Sequence, residues 1–280
     1  MTKGSGMGVE VRFRGVRGST PCCSADYNVY GGNTACVELN FDGRTVILDA
    51  GTGIRALGNE LVRKKIAHVD LLISHAHWDH ISGFPFFRPL YRTDCKLDVY
   101  ACPLSDGRSI ENALETQMSS PFFPLPMSKI PSSLRFHDIE SGDSFKLCGG
   151  AVLVKTLPLN HPNGAAGFRL EYGETVIAYI SDTEHFADRI DDNVLSLAHG
   201  ADLMIYDAMF TQSEYPTFAG WGHSTVEEAL AVSSAASVKR TALFHHSPEH
   251  TDADMMKIDR AVQSEYPNAF CAKEGMRLTL

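Results

Sequence analysis

The run LLISHAHWDH, Leu71 to His80, places three histidines and an aspartate within six residues, directly behind an apolar segment. Val69 to Ile73 is short, apolar and partly β-branched, which predicts a buried strand, and Ser74 opens the turn that ends it. The polar side chains therefore sit in a loop at a strand's mouth. Neutral imidazole and carboxylate are ligands that suit zinc, manganese and iron. The alternate spacing of His75, His77 and Asp79 can aim several of them at one place, and His80 can turn toward a second centre. A merely solvated loop would favour Gly, Asn and Ser instead. One loop does not complete a metal site, so the fold must bring other strand ends to the same mouth.

Three such ends are present. His161, in LPLNHPNG, follows a predicted strand from Ala151 to Leu157 and precedes a Pro-Asn-Gly turn. Asp182, in VIAYISDTE, lies just past an apolar strand from Thr175 to Ile180; it is placed either to ligate or to cap a helix expected from Glu184 to Ala198. LFHHSPEH puts His245 and His246 at the end of a strand from Thr241 to Phe244, where alternation lets only one of the two ligate.

The rest of the chain alternates strands and helices. Val9 to Val16 reads as a half-buried strand and runs into the irregular segment GVRGSTPCCSADYNVYGGNT. Cys36 to Phe41 and Thr45 to Leu48 read as a hairpin about Asp42-Gly43-Arg44. Helices are expected over roughly Ile54 to Lys65, Ser109 to Met118, from Ser224-Thr225 onward, and near Ala253 to Glu265, with a further strand at Leu203 to Tyr206. The prolines of SSPFFPLPMSKIP exclude regular structure and suggest a lid or wall. No linker or repeat divides the sequence, so the expectation is one α/β domain over residues 1–280.

Composition excludes several classes. The net charge of −9 argues against a long polyanionic partner, and the densest basic cluster, Arg63-Lys64-Lys65, falls where a helix end favours cations. No window is apolar enough for a membrane helix and MTKGSGMGVE lacks a secretory core, so a soluble, cytoplasmic protein is expected. The seven cysteines form no C-x-x-C pair, which speaks against a zinc ribbon or a disulfide framework.

The H-x-H-x-D-H pattern resembles the signature of the metallo-β-lactamase superfamily. That resemblance implies a four-layer αββα sandwich with a two-metal site along one edge. Carried onto this sequence, it assigns His75, His77 and His161 to one metal, Asp79, His80 and His245 to the other, and Asp182 to the bridge. The carboxy-terminal third resembles the ribonuclease Z and cyclic-nucleotide phosphodiesterase branch. Tyr206-Asp207-Ala208-Met209 stands in the position of its H-E-A-T element and Gly222-His223-Ser224-Thr225 in that of its G-H-S-T element. GVRGSTP, GGNT at Gly31 to Thr34 and LDAGTGI at Leu48 to Ile54 fit the same branch.

Hydrolysing a phosphodiester needs a nucleophile at neutral pH, neutralised phosphoryl oxygens and a proton for the leaving alkoxide. Two metals sharing a hydroxide meet the first two needs. His223 is the candidate proton donor with Asp207 to orient it, although it also precedes a helix start; Asp79 counts with them among the catalytic groups. Asp49 is placed to fix a ligand histidine's tautomer or to cap the turn that follows it. Arg17, Ser19, Thr20 and Asn33 are candidate substrate contacts. Phe84, Phe86 and Phe87 read as core and Phe122-Phe123 as a pocket for a nucleobase. The function expected is hydrolysis of a small phosphodiester, a cyclic nucleotide first, with two divalent metals, zinc foremost and manganese or iron also accommodated. An RNA 3′-processing endonuclease and a non-hydrolytic metal-binding sensor are the alternatives, and the resemblance suggests a homodimer.

Overall fold

A computed structural model describes residues 8–280; most of the amino-terminal stretch read as lacking a secretory core lies outside them. The first half of the chain contributes strands β1 (Val9–Gly15), β2 (Cys36–Phe41), β3 (Arg44–Leu48), β4 (His68–Ile73), β5 (Lys96–Ala101) and β6 (Ser133–Asp138). The second contributes β7 (Ser144–Leu147), β8 (Val152–Leu159), β9 (Ala165–Tyr172), β10 (Thr175–Ile180), β11 (Leu203–Asp207), β12 (Thr241–Phe244) and β13 (Ala269–Cys271), and β14 (Arg277–Thr279) crosses back to pair with β1. The result is two seven-stranded mixed sheets in the orders β14-β1-β2-β3-β4-β5-β6 and β13-β12-β11-β10-β9-β8-β7.

Strand parity builds the layers, because successive side chains point to opposite faces. On β4, Leu72 packs between the sheets while Val69, Leu71 and Ile73 pack outward under helices α1 (Ile54–Arg63) and, further along, α2 (Trp78–Ile81) and α3 (Ile110–Gln117). On β10, Ile177 and Tyr179 face inward and Ala178 and Ile180 face α4 (Asp192–Ala198). Beyond the short α5 (Tyr215–Phe218), helices α6 (Val226–Ala235) and α7 (Asp252–Glu265) complete that outer face. Both faces of the central strands are covered, which is why they read as continuous apolar runs. The order is helix, sheet, sheet, helix: the αββα sandwich.

Local chemistry sets the element ends. Asp42 and Gly43 both take positive φ, 48° and 87°, as a two-residue hairpin turn requires. Ser109 caps α3 and exchanges hydrogen bonds with Asn112, and Thr225 caps α6. The helix expected from Glu184 to Ala198 begins only at Asp192, behind the cap Asp191. Glu184 is drawn away from it, accepting hydrogen bonds from the backbone of Gly220 and Gly222 and from the Tyr215 hydroxyl. Arg63 closes α1 and Lys64 pairs back to Glu60 at 2.8 Å. Among the described residues no helix is long and apolar enough to cross a membrane, and all seven cysteines are free.

Phe168 is fully buried between the sheets and Phe86 is 54% exposed. Phe168→Ala is therefore expected to lower unfolding free energy by about 3–5 kcal/mol and Phe86→Ala by less than about 0.5. Urea midpoints of the two variants check the contrast.

Candidate metal centre

β4 ends at Ile73, and α2 is a single turn that starts after His77, whose side chain makes no capping bond, so Asp79 and His80 leave adjacent positions of one helical turn. The loop after β8 delivers His161, the end of β10 Asp182 and the end of β12 His245. The side chains fall into two groups, His75/His77/His161 and Asp79/His80/Asp182/His245, with the ligand-type atoms of each group within 4.8 Å of one another. His77 Nδ1 and His161 Nε2 are 3.0 Å apart. His245 Nε2 lies 3.2 Å from His80 Nε2 and 3.0 Å from Asp79 Oδ2.

Asp182 stands between the groups and divides its oxygens. Oδ2 faces His75 and His161, each at 3.7 Å, and Oδ1 faces His80 at 3.2 Å and His245 at 3.4 Å. No helix starts at Glu184, so Asp182 has no cap to serve there.

The ring orientations are imposed from behind. Asp49 accepts hydrogen bonds from Ser74 N (2.7 Å), Ser74 Oγ (2.8 Å), His80 Nδ1 (2.7 Å) and Tyr179 Oη (2.7 Å). With Nδ1 donating, His80 turns the Nε2 lone pair inward. Ser74 Oγ, donating to Asp49, accepts from His75 Nδ1 at 3.0 Å, which does the same for His75. His161 Nδ1 donates to the Gly222 carbonyl at 2.7 Å. Two glycines lie flat against these rings: a side chain at Gly18 would strike His245, and one at Gly222, whose φ is 88°, would strike His161. Ser19 N donates to Asp79 Oδ2 at 2.7 Å.

His245 itself has φ 60°, which ends β12 and swings its ring into the site; His246 instead donates to the Ala272 carbonyl at 2.8 Å. Asp49 shares that left-handed conformation at φ 60°. Sparsely populated backbone at two such positions is held by the surrounding structure.

The electrostatics fit cations. Burial holds His75 well below the ordinary imidazole value and His161 down to about 4, leaving both neutral with a free lone pair. Burial would raise Asp182, but His245, His80 and His75 hold it well below the carboxylate range. Burial would lower His80, yet Asp182, Asp79 and Asp49 lift it well above. The carboxylates thus draw positive charge inward. His75 Nε2 and Asp182 Oδ1 are buried without a hydrogen bond. The nitrogen pairs at 3.0 and 3.2 Å approach the edge of about 3.3 Å that zinc–nitrogen bonds of about 2.0–2.1 Å make in a tetrahedron. Residues of this kind, so placed, fit one divalent ion in each group.

His223 joins the same cluster. Its Nδ1 donates to the fully buried Asp207 at 2.9 Å and its ring lies 4.9 Å from that of His245. Burial would lower His223, but Asp207 beside it raises it to about 9. Asp207 is held in turn by Thr183 N and Met209 N, while Tyr206 packs away into the outer core.

Other candidates lie elsewhere. Arg17 is fully buried, with Nε donating to the carbonyl of Gly31 and Nη1 to those of Ser247 and His250. Asn33 is tied to Glu274 at 2.7 Å. Ser19 and Thr20 are exposed at the rim, where Ser19 contributes its backbone. Phe84 and Phe87 are core, but Phe86, read with them as core, is 54% exposed, and Phe122 is 68% exposed. Pattern reading passed over Ser74, Tyr179 and Glu184, whose roles depend on tertiary neighbours. It also passed over Trp78 and Trp221, 71% and 63% exposed, each within two residues of a site histidine.

A family profile described as Beta-lactamase superfamily domain matches residues 44–246. Ribonuclease Z of Methanosarcina acetivorans is 24% identical over an alignment of 321 residues that covers 97% of this chain and 98% of the relative. The metallo-beta-lactamase fold protein YhfI from Bacillus subtilis superposes with a TM-score of 0.74 at 18% identity, covering 98% of this chain and 100% of that one. A diphosphatase from the PhnP family superposes at 0.71, with 19% identity and 98% of each chain covered. These structures share the fold.

Because Asp49 orients His80 directly and His75 through Ser74, Asp49→Asn is expected to weaken binding of divalent metal by about 10- to 100-fold. Competition with a chromophoric chelator measures this.

Proposed function

We propose that this chain, which belongs to the beta-lactamase superfamily, hydrolyses a small phosphodiester, a cyclic nucleotide first, with residues 1–280 acting as one domain. The observation that carries the reading is the His223–Asp207 pair set against a ligand cluster divided by Asp182. His75, His77 and His161 would hold one divalent ion, Asp79, His80 and His245 the other, and Asp182 would give an oxygen to each. Zinc suits the mixed nitrogen and oxygen set, and manganese or iron is compatible with it. Such ions, when bound, supply a nucleophile at neutral pH and neutralise charge on the phosphoryl oxygens.

The chain's own groups supply the rest. Asp207 accepts from His223 Nδ1, which turns Nε2 outward and stabilises the doubly protonated ring. That ring gives its Nε2 proton to the leaving alkoxide. Ser19 N fixes Asp79, and Gly18 and Gly222 let loop backbone close on the rings, excluding water behind them. Trp78 and Trp221 at the rim, with Phe122, offer faces on which a base can stack.

Charge favours a small substrate. The protein is acidic, with a net charge of −9, which disfavours a partner that presents a string of phosphates. A second reading, RNA 3′-processing, is favoured by the full-length match to a protein named ribonuclease Z. That alignment of 321 residues exceeds this chain's 280, so the relative carries segments this chain lacks.

The test is to incubate metal-loaded protein with equal concentrations of a 3′,5′-cyclic nucleotide and a precursor transfer RNA and to quantify products. Conversion of the cyclic nucleotide is the expected outcome; cleavage of the RNA alone would replace the reading with its alternative, and neither reaction would favour a sensor. Asp182→Ala is expected to lose one metal equivalent and nearly all turnover, with metal analysis and initial rates as the check. His223→Ala should keep both metals and slow alkyl esters by about 10²–10⁴-fold, with a smaller effect on nitrophenyl esters whose leaving group needs no proton.

A further inference from the structure

The inner face of the first sheet carries a second group of ligand-type side chains at the far end of β4 from the centre described above. His68 and Asp70 on β4 share a face, and across the parallel register Lys96 and Asp98 stand opposite them on β5. Asp70 and Asp98 are thus direct cross-strand partners, and both are buried. Like charges placed directly opposite destabilise a sheet unless a cation lies between them. His68 Nε2 lies 2.8 Å from Asp98 Oδ2 and 3.6 Å from Asp70 Oδ1. The ligand-type atoms of these three residues fall within 4.8 Å of one another.

Asp98 is held from behind as a metal ligand usually is. Its other oxygen, Oδ1, lies 2.9 Å from His137 Nε2 on β6. The His137 ring is stacked on Tyr100 at 4.5 Å with an interplanar angle of 11°, and Tyr100 is stacked in turn on Phe145 at 5.2 Å. The permanent cation at the pair is Lys96, whose Nζ is 2.6 Å from Asp98 Oδ2. Its half-exposed side chain can swing into solvent, so it neutralises one of two carboxylates and yields that place at little cost.

We propose that His68, Asp70 and Asp98 form a peripheral binding site for a divalent transition metal, with His137 as the residue that positions Asp98. One imidazole and two carboxylates suit zinc, manganese or iron. His68 is half-exposed, so the ion enters from solvent and keeps water on its open side. Asp70 is five residues from His75 along β4 and its loop, roughly 16 Å at about 3.3 Å per residue, so the site is separate from the catalytic centre. A metal there ties β4 to β5 at the end of the sheet that the catalytic ligands do not reach.

The test uses the full chain, stripped with chelator, dialysed against zinc and analysed for metal per polypeptide. Wild type is expected to hold one zinc equivalent more than His68→Ala and than Asp98→Asn, whatever the occupancy of the catalytic centre. His68→Ala should keep wild-type hydrolysis and lose the part of the zinc-induced rise in melting temperature that comes from this site. Equal zinc content in wild type and His68→Ala would overturn the proposal. His68→Ala changes a half-exposed side chain and so reports even where Asp98→Asn fails to fold; loss of hydrolysis in folded His68→Ala would overturn the separation of the two sites.

Discussion

Four hydrogen bonds converge on the carboxylate of Asp49, and the active end of the molecule depends on them. Three come from the first sheet's edge, through Ser74 and His80, and one from Tyr179 on the second sheet. A fully buried carboxylate is tolerable only when its lone pairs are so occupied. In return it sets the inward lone pairs of His80 and, through Ser74, of His75, one from each ligand group. The sandwich thereby fixes the site from both layers at once. Tyr179 also packs its ring between the sheets, so the same residue that completes the core locks the tautomer.

The division of labour between the sheets follows from topology. The first sheet supplies one dense loop, and the second supplies His161 from the loop after β8 and Asp182, Asp207 and His245 at the ends of β10, β11 and β12. Parallel pairing of β10, β11 and β12 places those ends side by side. Asp182 can therefore stand between the ligand groups while Asp207 stands behind His223. The helix caps do not compete: Thr225 caps α6, and His223, two residues earlier, is left free for the cleft.

Much of this was legible in the chain. Strong apolar runs and the capping residues located β1 to β4, β8 and β10 to β12 and the helices α1, α3, α6 and α7, and parity told that only one of His245 and His246 faces the site. The resemblance of H-x-H-x-D-H assigned side chains that the structure brings together. The parts that escaped did so for different physical reasons. Strands β6, β7 and β14 are edge strands whose residues are largely half-exposed, so they lack an apolar signal. The buried β5 and β9 went unassigned because Lys96 and Asp98, and Arg169 and Glu171, interrupt their apolar runs, and β13 is only three residues long. Helical spacing after Glu184 was genuine, but its carboxylate found better partners in the Gly220–Gly222 turn. Arg17 looks like an anion contact in sequence and is a buried brace in space, because three backbone carbonyls meet there that no local pattern encodes. Ser74 and Tyr179 carry no motif at all, since a hydroxyl's role is set by what folds against it.

In the proposed centre one carboxylate, Asp182, serves two ions at once. Anomalous diffraction at the zinc edge from zinc-loaded crystals tests it most directly. The claim predicts two peaks about 3.5–4 Å apart, one on each side of Asp182. A single peak among His75, His77 and His161, or two peaks too far apart for Asp182 to touch both, would contradict it.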